Sequence, residues 1–314
     1  MDDRRGGSIW AYVRKRWKLA LGSVALATVG SLMGMTAPYL GGMVINALVG
    51  GRVDLLLTYA LPIVGLILAQ GILGFFSNVT SQYLSQSVAF DLRNDVYSRL
   101  QELSLGFYRK IDTGQLVARA TSDIDTISRF LGTAFSGLAS SMSMLAIAIA
   151  FMVSMSPQLT LYAVLPLPLI YLFVRRFASR ARPLFERSRE VYGRMTAHVT
   201  EVTSGLKVVR ALNAMRTLWA RFKAINDELF GIQMKIAWLR ASTWPFVGFI
   251  SSISALIIFW AGGEFVAQGV LDVGKLVSMS MYSGMITWPF VMLGFFTVDY
   301  MYANAAWKRV HEIL

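Results

Sequence analysis

Five long stretches of this 314-residue chain carry no charged side chain, and they constrain the fold more tightly than any other feature of the sequence. They cover residues 19–51, 55–90, 130–174, 241–263 and 276–298, and hold 33, 36, 45, 23 and 23 residues. A helix crosses the roughly 30 Å hydrocarbon layer of a bilayer in about 20 residues, so four of the stretches each accommodate one crossing. The 45-residue stretch accommodates two. Its division falls at Ser154-Met155-Ser156-Pro157-Gln158, where polar residues and a proline suit a tight turn at a membrane surface. Six crossings follow, giving an all-α membrane protein. The composition agrees, since 55% hydrophobic against 15% charged residues is not that of a soluble domain.

Lysine and arginine set the orientation, because basic connections remain in the cytoplasm. Along the chain they number 6 before the first span, then 1, 6, 0, 14 and 1 between successive spans, and 2 at the end. Alternate compartments therefore hold 28 and 2, which places both termini in the cytoplasm. The net charge of +12 thus has a topological origin, and no nucleic-acid partner is needed to explain it. A cleavable signal peptide fits poorly, since the first apolar run continues to Gly51. Cysteine is absent, which excludes disulfides and thiolate metal sites. His198 and His311 are too few and too far apart for a metal cluster.

Residues 1–18 read as an interfacial helix. Ile9, Val13 and Trp17 recur at four-residue spacing, while Arg14, Lys15, Arg16 and Lys18 occupy the other positions. The two long connections, about 80–129 and 175–240, read as helical stalks. Leu84, Val88, Leu92, Val96, Leu100, Leu103 and Phe107 repeat in steps of four and three. A helix from Leu55 to Leu105 spans about 75 Å at 1.5 Å per residue, more than twice the hydrocarbon thickness. Val191, Met195, Val199, Val202 and Leu206 form a second narrow stripe. Each stalk is interrupted far from the membrane. Ile111-Asp112-Thr113-Gly114 breaks the first, with Asp112 or Thr113 able to cap a short helix from Gln115. Gly205 loosens the second, ahead of Leu212 to Phe222.

One stretch imitates a nucleotide site. Gly269, four residues, Gly274 and Lys275 reproduce most of a phosphate-binding loop. Leu276 stands where a magnesium-binding hydroxyl is required, no strand precedes it, and the topology puts it outside the cell.

Taken together, these residues resemble the transmembrane domain of ATP-binding cassette (ABC) exporters of the six-span type. Phe107-Tyr108, Thr113-Gly114-Gln115-Leu116, Arg119 and Ser122-Asp123-Ile124-Asp125 are similar to the family's first intracellular loop. The run from Glu201 to Ala211 is similar to the stretch before its second coupling helix, and Gly262, Gly269, Gly274 and Leu276 to its external turn between spans five and six. The resemblance implies a domain-swapped dimer, homo- or heteromeric, in which spans four and five cross to the partner. It also implies nucleotide-binding domains, absent from this chain, that hold ATP and magnesium, so that the 314 residues themselves bear no ATPase site. Two segments are implied to couple those domains to the membrane. The first comprises Asp112, Thr113, Gly114, Gln115, Leu116 and Arg119, and the second Asn213, Ala214, Met215, Arg216, Leu218, Arg221 and Phe222. The family commonly carries an acidic residue near Ala214, whereas Met215 and Arg216 follow it here, which leaves apolar docking through Met215, Leu218 and Phe222.

For the substrate, span six offers Met281, Met285, Trp288, Met292, Phe295 and Phe296, an adaptable apolar surface, with Asp299 at its inner end. The expected function is export of a hydrophobic or amphipathic molecule, drug-like or lipid, from a bacterial cytoplasmic membrane, with membrane lipids as surroundings. An ion-coupled carrier would place ionisable groups at membrane depth, and the five stretches hold none. A membrane scaffold recruiting a cytoplasmic partner is compatible with the same sequence.

Overall fold

The computed structural model describes residues 9–108 and 113–314. Among these there is no strand, and six helical stretches are long and apolar enough to cross a membrane. They are Trp17–Val49, Leu55–Glu102, Gly114–Met155, Pro157–Ser204, Met215–Ala267 and Val273–His311. The order is α1 (Ile9–Lys15), α2 (Trp17–Val49), α3 (Leu55–Glu102), α4 (Leu105–Tyr108), α5 (Thr113–Ala118), α6 (Ile124–Gly132) and α7 (Ala139–Met155), then α8 (Pro157–Val164), α9 (Pro168–Ser204), α10 (Leu206–Ala211), α11 (Met215–Ala267) and α12 (Val273–His311). Wider π-helical turns at Arg119–Asp123 and Thr133–Leu138 join α5 to α6 and α6 to α7.

The expected breaks have physical causes. Ser156 is extended, its side chain accepts a hydrogen bond from the Leu159 amide, and Pro157 opens α8 at a position where its missing N–H costs nothing. Gly205 separates α9 from α10. The short helix of the first stalk starts at Thr113, two residues before Gln115. Two further breaks went unread in the sequence: at Leu103–Ser104, where an extended Leu103 ends the long stalk helix at Glu102 short of the expected Leu105, and at Leu165–Leu167, where Pro166 and Pro168 withhold two backbone donors and divide the fourth crossing into α8 and α9.

The chain forms two compact units. One comprises the described residues up to Tyr171 together with Ile250–Leu314, and the other is Leu172–Phe249. In the first, Leu84, Val88, Leu92 and Val96 of α3 are fully buried against Ile124, Ile127 and Leu131 of α6. Where apolar lipid removes the hydrophobic drive between helices, small residues and hydroxyls hold them together. Accordingly, Ser77 donates to the Ser23 carbonyl, Ser81 to the Gly132 carbonyl and Ser85 to the Ser128 carbonyl. At the other end of α2, Ser278 and Tyr282 donate to the carbonyls of Pro38 and Met35. In the second unit, Val191 packs against Ile232 and Ile236.

The seam of that second unit differs from the stripe expected in the sequence. Ser188, Val191 and His198 are buried, with Met195 and Val202 half-buried, whereas Val199 and Leu206 are exposed. Polar side chains occupy core positions there: Gln233 donates to Ser188, and His198 Nε2 lies 3.0 Å from the Leu218 carbonyl oxygen.

Candidate functional site

The first of the two segments expected to couple belongs to the first unit. Asp112 lies outside the described residues. Gly114 and Gln115 are exposed at the start of α5, while Leu116 is anchored in the core. Behind them two ion pairs bind the end of α12 to this hairpin. Arg309 donates Nε and Nη2 to the two carboxylate oxygens of Asp123 at 2.8 and 2.6 Å, and Arg119 meets Glu312 at 2.8 Å. The Asp123 side chain is only 12% exposed, so this bidentate pair is shielded on the acid side. The paired carboxylate raises the Arg309 guanidinium above its ordinary value.

The expected interfacial segment, of which α1 and the residues after it are described, is stapled to the same unit. Arg16 pairs with Asp91 at 3.2 Å, and the Tyr12 hydroxyl donates to Asp95 at 2.8 Å. Burial, reinforced by that acceptor, pushes the Tyr12 phenol up. Arg93 and Asp125 add a pair between α3 and α6.

The second of the segments expected to couple belongs to the other unit. Asn213 adopts a left-handed conformation at φ +50°, which asparagine tolerates better than most side chains. The Ala214 amide bonds back to the Val209 carbonyl and closes the turn between α10 and α11. Met215, Arg216 and Arg221 are exposed, and Ala214, Leu218 and Phe222 half-buried. Trp219, 64% exposed, stacks on Phe222 with ring centroids 5.8 Å apart. His198 supports the turn from α9. A carbonyl only accepts, so Nε2 carries the proton to Leu218, and the buried Nδ1 has no partner among the described residues. Substituting His198 by alanine is expected to cost about 1 kcal/mol, the worth of one neutral hydrogen bond, read as faster hydrogen exchange confined to α10 and the start of α11.

Further along this pair of helices, Arg187 and Arg194 converge on Glu228 at 2.8 and 2.5 Å. The Arg194 hydrogen bond, followed by that of Arg187, holds the Glu228 carboxyl below its ordinary value. A lowered carboxylate contributes stability above its unfolded pKa and loses it as pH falls through the folded one. Glu228→Gln is therefore expected to remove part of the acid-side decline in thermal midpoint while leaving the neutral-to-basic side flat.

The span-six residues share a face. Met281, Met285, Trp288, Met292, Phe295 and Asp299 follow one another in steps of four and three, and all are partly or well exposed. The opposite face, with Met279, Tyr282, Ile286 and Val298, is buried in the unit. Phe296 departs from the set: it lies against Phe130, with centroids 5.2 Å apart, at the edge of the core. Asp123, Arg309, Glu312, His198 and Trp219 complete the two segments but were not picked out as site residues. Asp123 and Arg309 are 186 residues apart, so no local spacing links them.

The nucleotide look-alike is a helix crossing. Gly269, at φ +71°, makes the turn before α12, and the Gly274 amide donates to Asn46 Oδ1 at 2.8 Å. A Cβ at Gly274 would run into the carbonyl oxygen of Gly42. Gly274 is thus required by the close approach of α2 and α12, and Lys275 pairs with Asp272 rather than facing a phosphate. The described residues offer no fit for ATP at this position.

A fold of six crossings with two long helical extensions is the architecture of a transporter's membrane domain, and comparison with known proteins specifies which. Residues 20–290 match the model of the ABC transporter transmembrane region, and the chain belongs to that family as an integral membrane protein. It is 25% identical over 310 residues to the multidrug resistance-like ATP-binding protein MdlA of Buchnera aphidicola, covering 97% of this chain and 53% of that protein. It is 30% identical over 224 residues to a probable multidrug resistance ABC transporter ATP-binding/permease protein, YheI, of Bacillus subtilis, covering 71% and 38%. A fatty acid ABC transporter ATP-binding/permease protein of Mycobacterium bovis is 28% identical over 229 residues, covering 73% and 36%. The chain spans about half the length of the curated relatives it matches over nearly its whole extent.

Proposed function

We propose that this chain is the permease portion of an ATP-driven exporter of hydrophobic or amphipathic molecules, acting as a two-protomer assembly in a bacterial cytoplasmic membrane with both termini inside. The observation that carries the reading is the exposed face of span six. A row of methionines and aromatics on a crossing helix, partly exposed on its own unit, supports a cavity wall that adapts to varied apolar ligands. Relatives named for multidrug resistance and for fatty acids point to the same ligand chemistry.

The two coupling segments would receive motion from nucleotide-binding domains. The first is keyed by Leu116, Arg119 and the Asp123–Arg309 pair to both α3 and the end of α12, so a push there moves span six. The second offers Met215 and the Trp219–Phe222 stack as an apolar contact in place of an acidic one. Rigid hairpins shifting between two packed arrangements would open the cavity alternately to either side.

Inside-out vesicles bearing the native gene product test this. ATP-dependent uptake of a lipophilic fluorescent amphiphile is expected, with Met285→Arg on the exposed face reducing it about tenfold, since a cation at membrane depth costs more than 1.4 kcal/mol. Uptake that does not depend on ATP, or that Met285→Arg leaves unchanged, would overturn the reading.

A further inference from the structure

The Leu172–Phe249 unit contains an open cleft of about 740 Å³ between α9 and α11. That is within the range of roughly 300–1,000 Å³ typical of ligand sites. Arg180 of α9 and Lys235 of α11 both line it, and Leu184, Trp238 and Leu239 supply part of an apolar wall. No carboxylate lines it. Along the same helices Arg187 is paired with Glu190 and Glu228 and Arg194 with Glu228, and Arg240 lies over the Phe185 ring at 5.5 Å. Arg180 and Lys235, by contrast, have no ion-pair partner among the described residues. Two uncompensated cations on one cleft select an anion.

The level of the cleft identifies which anion. Arg175 is the first charge after the stretch 130–174, and Arg240 the last before 241–263. The lining runs from Ser242, just inside the apolar stretch, past Arg180 and Lys235, five residues beyond those two boundary charges, to Pro183 and Leu184. That is the depth of lipid phosphates, and the exposed indole of Trp238 is a side chain enriched at that depth. We infer that the cleft is a binding site for the headgroup of an anionic phospholipid, taken from the leaflet on the side of the long basic connections. Arg180 and Lys235 hold the phosphate, while Trp238 and Leu239, nearer the apolar stretch, pack beside the glycerol and the first acyl carbons. A zwitterionic lipid is disfavoured, because its ammonium would meet two cations and no acid. Basic pockets between membrane helices bind anionic headgroups on the same physical grounds. The site depends on the membrane placement of the helices and not on the transport reading.

The test is lipid retention. The native gene product is reconstituted in phosphatidylcholine bilayers with a minor fraction of phosphatidylglycerol, released, and examined by native mass spectrometry. Phosphatidylglycerol is expected to be retained over phosphatidylcholine. The double variant Arg180→Gln/Lys235→Gln should retain about tenfold less, each cation near an anionic surface being worth a several-fold factor in affinity. Lys207→Gln/Arg210→Gln, which removes the same charge on exposed α10, should behave as the unmodified protein. Equal retention in all three, equal loss in both variants, or equal retention of the two lipids would overturn the site. So would phosphatidylglycerol carried by single protomers but excluded from the assembled pair, which would show the cleft covered by its partner. ATP turnover recorded on the same samples reports the transport reading separately.

Discussion

Gly274→Leu is expected to lower the stability of the first unit by about 3 kcal/mol, the upper end of what overpacking a tight contact costs. The magnitude follows from what the new side chain meets. At Gly274 a Cβ collides with the Gly42 carbonyl oxygen and with Asn46, and at Gly42 with Ser278 and the Gly274 carbonyl. Backbone atoms cannot rotate aside, so relief requires α2 and α12 to separate. That separation also costs the Asn46 bond to the Gly274 amide and the Ser278 bond to the Pro38 carbonyl. Gly65→Leu is the control, since a Cβ there meets nothing within 4 Å. Thermal unfolding in bilayer discs, followed by helical circular dichroism, should show a large drop for the first and little for the second. Equal midpoints would mean that the two helices do not cross so closely.

Arg309→Ala is expected to cost about 2 kcal/mol and to loosen the end of α12 from the hairpin of α5 and α6. The alanine leaves Asp123 shielded and unpaired, and truncating one member of a buried hydrogen-bonded charge pair costs about 2–5 kcal/mol. The lower figure applies because the Arg309 side chain is 49% exposed and its part is screened by solvent. Asp123→Ala should cost less, since it releases a guanidinium that already reaches water. The double variant should cost less than the sum, which is the signature of direct pairing. Hydrogen exchange should rise in α5, the Arg119–Asp123 turn and the last turns of α12 together. Exchange rising only at the chain end would show that the pair does not transmit between the two elements.

The crossings were legible because charge exclusion from hydrocarbon is severe and acts on composition alone. The turn at Ser156-Pro157 and the break at Gly205 were legible for a similar reason, being local backbone chemistry. The stripe from Leu84 to Val96 was read correctly because every member is apolar. The stripe through Val199 failed one residue from His198, because a buried seam made of serine, glutamine and histidine leaves no hydrophobic period to follow. The break at Leu165–Leu167 was missed inside an apolar run, where two prolines passed as part of a crossing. The Asp123–Arg309 and Arg119–Glu312 pairs join positions nearly two hundred residues apart, and only the fold brings them together. For span six the residue types were visible in the sequence, while the shared exposure of Met281 to Asp299, and the withdrawal of Phe296 to the core, became visible only with the helix packed.

The central claim is that these helices convert nucleotide-driven motion into movement of an apolar ligand. ATP turnover tests it most directly, measured on the native gene product with every subunit that co-purifies, in bilayer discs, with and without hydrophobic amphiphiles. The account predicts magnesium-dependent turnover that shifts when amphiphile is added. A preparation with no turnover, or with turnover indifferent to every amphiphile tried, would contradict it.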